Sequence, residues 1–168
     1  MSDSIKSAWF KPALKYASLG AISCVLVFFI TWLLKIDPLG DWKIIASVPC
    51  FLVIYLAVKN YRDVHADGIV KISSAYIYGL YINALIGLLT GIFVYLFLEF
   101  VDPSINQTHI ASLKEYIKAS TTYNAQTKLS LTADVEKTSA FNMGVDEWVK
   151  RVGSGFFYVL LAAAIVKR

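Results

Sequence analysis

Charge is scarce in this sequence, and it is missing in blocks. Asp, Glu, Lys and Arg make up 17% of the chain, where a soluble domain carries about a quarter. Tyr16–Leu34 and Tyr76–Leu98 hold none at all, which argues against a water-soluble fold. Cysteine is equally sparse. Cys24 and Cys50 both lie inside apolar runs; two thiols make neither a disulfide framework nor a zinc site, and they read as small buried hydrophobes. No glycine-rich phosphate loop and no nucleophile elbow occurs. These gaps leave no catalytic residue, metal-ligand set or cofactor motif to nominate, and the chain is expected not to be an enzyme. The net charge of +4 does not indicate a nucleic-acid partner. The basic residues are scattered just outside apolar runs, as membrane anchors are, and form no phosphate-binding stripe.

What is abundant is apolar sequence: 57% hydrophobic residues and a mean hydropathy of +0.59. It is concentrated in four runs, 16–34, 42–58, 76–98 and a fourth, charge-free over 152–166, that is extended back to 145. About 20 helical residues cross a hydrocarbon core. The expected architecture is therefore all-α: one membrane domain over 1–168, an integral membrane four-helix bundle whose partner is the lipid bilayer. Lys43 is expected to snorkel from the second helix, and Lys150 and Arg151 from the fourth, with Trp148 in the interfacial aromatic belt. A re-entrant fourth segment is the rival reading. Pro49, near the middle of the second run, is expected to kink it. The basic lead-in of Lys6, Lys11 and Lys15 resembles that of a cleavable signal, but the strongest apolar stretch, Val25–Leu34, follows Cys24, so a retained helix is expected.

Orientation rests on basic residues. With the N-terminus inside, segments 1–15, 59–75 and 167–168 hold eight Lys/Arg, and the outer segments 35–43 and 99–151 also hold eight over nearly twice the length. The density favours both termini in the cytoplasm. Pro38 and Gly40 mark a tight turn between the first two helices. The polar excursion 102–147 carries Ile110, Leu113 and Ile117 at helical spacing, predicting a helix over 110–122, a break over 125–131, and a second short helix over 132–140 capped by Thr132. It is expected to be partly helical and either to fold over the outer end of the bundle or to extend the third and fourth helices beyond the membrane.

Candidate residues follow. Gly79, Asn83, Gly87 and Gly91, four apart, share a face of the third helix and read as a close-packing stripe, within the chain or against another subunit, with Gly155 and Ala162–Ala164 as the facing surface. Asn83, in mid-helix, and Glu99, near its outer end, are the candidate polar pathway; no charge is expected deep in the membrane. Lys59, Arg62 and Lys71 are candidate contacts for lipid phosphate. Asp63, His65 and Asp67 alternate, but a lone histidine with two carboxylates in a loop makes no metal site. His109 is expected to be solvated.

The loop Lys59-Asn60-Tyr61-Arg62-Asp63 followed by Gly68-Ile69, the Lys15-Tyr16 lead-in and the terminal Lys167-Arg168 resemble a family of uncharacterised inner-membrane proteins of Bacteroidetes, catalogued as a domain of unknown function. That family commonly has Phe-Gly before the third helix, where this chain has Ser73-Ser74-Ala75. The resemblance implies four membrane helices, a bacterial inner membrane, and no residues with an assigned role. Three functions remain open. The first is an accessory or assembly subunit that binds other membrane subunits or itself. The second is a small oligomeric transporter or channel. The third is a helper in lipid or polyprenyl-phosphate metabolism.

Overall fold

The computed structural model describes residues 3–66 and 68–167; the side chains of residues 3–9, 42 and 43 are outside that description. The expectations resting on Lys6, Lys43, Asp67 and Arg168 therefore fall outside the described residues. Six α-helices succeed one another: α1 (Asp3–Leu33), α2 (Ser47–His65), α3 (Ile72–Phe100), α4 (Ser104–Ala119), α5 (Ala125–Glu136) and α6 (Ala140–Val166). A 3-10 helix, Asp41–Ala46, leads into α2. Among the described residues there is no strand.

Four segments, Phe10–Leu33, Ile44–His65, Ile72–Phe100 and Ala140–Val166, are long and apolar enough to cross a membrane. They run alternately up and down, so the two termini lie at one end of the bundle. Their outward faces are apolar: Leu19, Ile22, Leu26, Ile30 and Leu33 recur along α1, each more than half exposed. Water would penalise such a stripe along every helix, and hydrocarbon satisfies it.

The core has two parts. The larger joins α1, α2, α3 and α6 through Ile54, Tyr78, Ile82, Ile86 and Val159, among others. The smaller sits at the end remote from the termini, around Phe28, Val94, Phe97 and Met143. There Phe28, Phe29, Trp32 and Phe97 meet mostly edge to face, the arrangement that the ring quadrupoles favour.

The second helix departs from the expected 42–58. Residues 41–46 take the tighter 3-10 form and the α-helix begins at Ser47, so Pro49 sits in its first turn. A first-turn amide has no intrahelical acceptor, so proline's missing N–H costs little there; the expected mid-helix kink is replaced by a helix start. The polar excursion also differs. The expected break at 125–131 is helix, the real break lies at 120–124, and Thr132 caps nothing. Its hydroxyl donates to the Lys128 carbonyl, while Asn124 is the cap, its side chain accepting from the Thr127 amide at 2.8 Å. The last helix starts at Ala140, capped by Ser139, so the fourth span reaches back beyond 145.

Candidate functional site: a buried polar cluster between the membrane helices

The widest contact in the bundle joins α3 to α6, and glycine makes it possible. The two helices run antiparallel in a steady register: Gly79 meets Val159, Asn83 meets Gly155, Gly87 meets Arg151, and Gly91 meets Gly144. A Cβ on Gly91 would lie 2.5 Å from the Gly144 carbonyl oxygen, and one on Gly144 2.6 Å from that of Gly91. Backbones touch here as they do in small-residue membrane interfaces. The Gly79, Asn83, Gly87 and Gly91 stripe is thus occupied within the chain.

The register carries two charges inward. Glu147 and Arg151 are each 6% exposed and form an ion pair, Arg151 Nη2 to Glu147 Oε1 at 2.7 Å. Arg151 lies eleven residues into α6, about 16 Å along the axis. The expectation that Arg151 snorkels outward is therefore corrected, as is the expected absence of deep charge. The physical reason is that Gly87 clears room for the arginine stem, its ideal Cβ lying 3.3 Å from Arg151 Cβ. A carboxylate one turn away then neutralises the guanidinium within the same helix. Trp148 lies over Gly87 and Gly91 while keeping an exposed edge.

Further polar groups surround the pair. Asn83, with no exposed surface, donates from Nδ2 to the Arg151 carbonyl at 3.1 Å and accepts from the Tyr158 hydroxyl at 2.8 Å. Arg151 Nη1 approaches Cys50 Sγ at 3.7 Å, and Cys50 Sγ lies 3.1 Å from Cys24 Sγ. Both cysteines are free. The cluster is therefore made by all four membrane helices, with α1 and α2 contributing sulfur and α3 and α6 contributing amide, hydroxyl and charge.

Space adjoins it. A small, partly open cavity of about 20 Å³ is bordered by Cys24, Thr31, Thr90, Glu147 and Arg151. That is room for one small molecule such as water. A more open cleft of about 350 Å³, bordered by Asp41, Ser47, Lys150 and Ser154, shares Glu147 and Arg151 with the cavity. A third, of about 660 Å³ beneath α4, shares Asp41 and Lys150 with that cleft. There His109 Nδ1 sits 2.6 Å from Asp37 Oδ2. His109 is thus paired, where solvation alone was expected, because the α1–α2 turn brings Asp37 beneath α4.

The chain belongs to the DUF4199 family. Its profile, described as "Protein of unknown function (DUF4199)", matches residues 15–168. No curated protein and no solved structure matches the chain. The family description assigns no role to any residue. Of the residues nominated from sequence, Asn83 stands in the cluster, but Glu99 is exposed at the far end of α3. Sixteen residues separate them, about 24 Å along the helix, so they do not share one site. Lys59 and Lys71 are exposed. Arg62 is committed elsewhere: it holds Asp63 at 2.7 Å and donates to the Val166 carbonyl at 3.3 Å, closing the C-terminal end of α6. Glu147, Arg151 and the cysteine pair are the residues that the sequence reading missed. A signal for them exists in the repeat Gly144, Glu147, Arg151, Gly155 and Val159, where two opposite charges one turn apart sit in a stripe of otherwise small and apolar residues.

Proposed function

We propose that this protein is a non-enzymatic accessory or assembly subunit of a larger complex in a bacterial inner membrane of the Bacteroidetes type, with both termini in the cytoplasm. The observation that carries the reading is the α4–α5 hairpin. The twelve residues of α5 include none that is buried, and α4 buries only Ile105 and Ile117. Tyr116 and Leu129 are 69% and 68% exposed. Helix α4 is fastened to the bundle by His109 on Asp37 at 2.6 Å and by Ile105 in the smaller core, while α5 is held to α4 by Lys114–Glu136 at 2.7 Å and by Lys128 Nζ on the Lys118 carbonyl. An ordered arm with uncovered aromatic and aliphatic side chains suits contact with another protein. The polar cluster agrees with a structural role, since its charges and amide are satisfied internally.

The test is gentle extraction of the tagged protein into lipid nanodiscs, with mass spectrometry of what accompanies it. A stoichiometric protein partner is expected, and it is expected to be lost when residues 104–136 are replaced by a short flexible linker. A lone chain in every extract, with and without the arm, overturns the proposal.

One observation favours a second reading, a small oligomeric transporter or channel. The two clefts and the small cavity share residues in sequence, from Asp37 and His109 through Asp41 and Lys150 to Glu147 and Arg151. Such a chain of polar groups suits passage of water or protons half-way through the bundle. Flux in reconstituted vesicles that is abolished by Arg151→Met supports this reading, and absence of flux removes it. A role in lipid or polyprenyl-phosphate metabolism rests on exposed Lys59 and Lys71 alone, since Arg62 is engaged.

A further inference from the structure

Two free thiols lie within the polar cluster. Cys24 and Cys50 come from different helices, lie 26 residues apart, and present their sulfurs to each other at 3.1 Å. They are 3% and 0% exposed, so reagents in bulk water do not reach them directly. Their surroundings are unequal. Cys24 borders the small cavity of about 20 Å³, together with Thr90, Glu147 and Arg151, and Cys50 does not. Cys50 instead has the Gly20 carbonyl at 3.9 Å as an acceptor for its S–H and the Arg151 guanidinium at 3.7 Å.

We propose that Cys24 and Cys50 are a peroxide-sensing dithiol, in which hydrogen peroxide admitted to this cavity oxidises Cys24 and Cys50 then closes a disulfide that staples α1 to α2. The cavity decides the class of oxidant. It is partly open but narrow, with space for little more than one water, which admits a two-oxygen molecule and disfavours a quinone or a lipid hydroperoxide. Hydrogen peroxide is neutral and small enough to pass by way of the cleft that shares Glu147 and Arg151. In the first step the Cys24 sulfur attacks one peroxide oxygen and the O–O bond breaks. An S–O bond forms, and the other oxygen leaves as water after taking up the thiol proton. The Arg151 guanidinium stabilises the negative charge that passes through the site. In the second step the Cys50 sulfur attacks the Cys24 sulfenic acid, the S–OH bond breaks, and a second water leaves with the Cys50 proton. Two thiols are oxidised by two electrons, one peroxide is reduced to two waters, and no further reactant is needed. The sulfurs need to approach by only about 1 Å to reach bonding distance.

The experiment uses the whole protein in nanodiscs, treated with hydrogen peroxide, quenched, denatured and labelled with a maleimide polymer. Untreated protein is expected to take two labels and treated protein none, with a mass loss of about 2 Da and a Cys24–Cys50 cross-linked peptide. Cys50→Ser is expected to stop at the Cys24 sulfenic acid, a gain of about 16 Da that dimedone traps on denaturation. Cys24→Ser is expected to leave Cys50 unoxidised. tert-Butyl hydroperoxide, too bulky for the cavity, is expected to act at least about tenfold more slowly. Retention of both labels under a dose that oxidises an exposed control thiol overturns the proposal, and this arm needs no variant to fold. Equal oxidation of Cys50 in Cys24→Ser, or equal rates with the bulky peroxide, overturns the cavity as the site of entry.

Discussion

Replacing Arg151 by leucine leaves Glu147 buried beside apolar side chains and the Cys24–Cys50 pair. The expected loss of stability is about 3–5 kcal/mol, measured by reversible denaturant titration in mixed micelles. Replacing Glu147 and Arg151 together by leucine is expected to recover most of that loss, because neither charge of the buried pair remains. Gly155 offers a second prediction. Any Cβ there would collide with the Asn83 amide, so Gly155→Ala is expected to displace Asn83 from Tyr158 and from the Arg151 carbonyl. The cost is about 1–3 kcal/mol, read in the same titration. At this scale the sequence is legible where a residue obeys its own preference. The four-residue glycine spacing on α3 follows from the chain alone. The inward turn of Arg151 does not, because a charge ten or so residues from a helix end snorkels or buries according to what the neighbouring helix leaves open. Here the opening is Gly87, on a helix more than sixty residues earlier in the chain.

Among elements, α5 is the least secured, with none of its residues buried. Lys114 holds the Glu136 carboxyl below its ordinary value, first through a hydrogen bond and then through its charge. A carboxylate held down in this way adds stability above its unfolded pKa of about 4.3, and that contribution is lost as pH falls through the lower folded value. Hydrogen exchange of the α5 amides is therefore expected to be steady at neutral pH and to accelerate below about pH 4, while α3 amides stay protected. Added salt is expected to accelerate α5 in the same way, since an exposed pair is screened. The wider polar segment shows why element boundaries were misjudged. Helix α5 lacks apolar periodicity, so periodicity reads Ala125–Leu131 as a break. The local signal is the cap at Asn124, five residues after α4 ends, and polar helices are announced by their caps more than by their faces. At Pro49 the residue itself was identified, but its place in the helix depended on where the 3-10 turn gave way to α-helix.

For the whole molecule, the four spans follow from hydropathy because lipid selects for length and apolarity before any packing detail. Handedness in the membrane is a separate matter, set by basic residues in the loops. Single cysteines introduced at Lys11 and Thr122 of a Cys24→Ser/Cys50→Ser chain give the check. An impermeant maleimide applied to intact cells is expected to label position 122 and to leave position 11 untouched until the membrane is opened. Labelling of position 11 alone reverses the proposed orientation.

The antiparallel seam between α3 and α6 also has a consequence in time. During synthesis α3 is made about forty residues before α6 begins, so its glycine face waits in the membrane without its partner. When α6 arrives it must bury two of its charges, Glu147 and Arg151, each costing about 2.5–3.5 kcal/mol at the centre of a lone inserting helix. Their spacing of one turn lets them neutralise each other before any other helix is met. The last helix is then the step at which the nascent chain depends most on the helices already inserted. Changing the Gly87 and Gly91 face is expected to reveal itself during biogenesis, as chains whose final segment fails to enter the membrane.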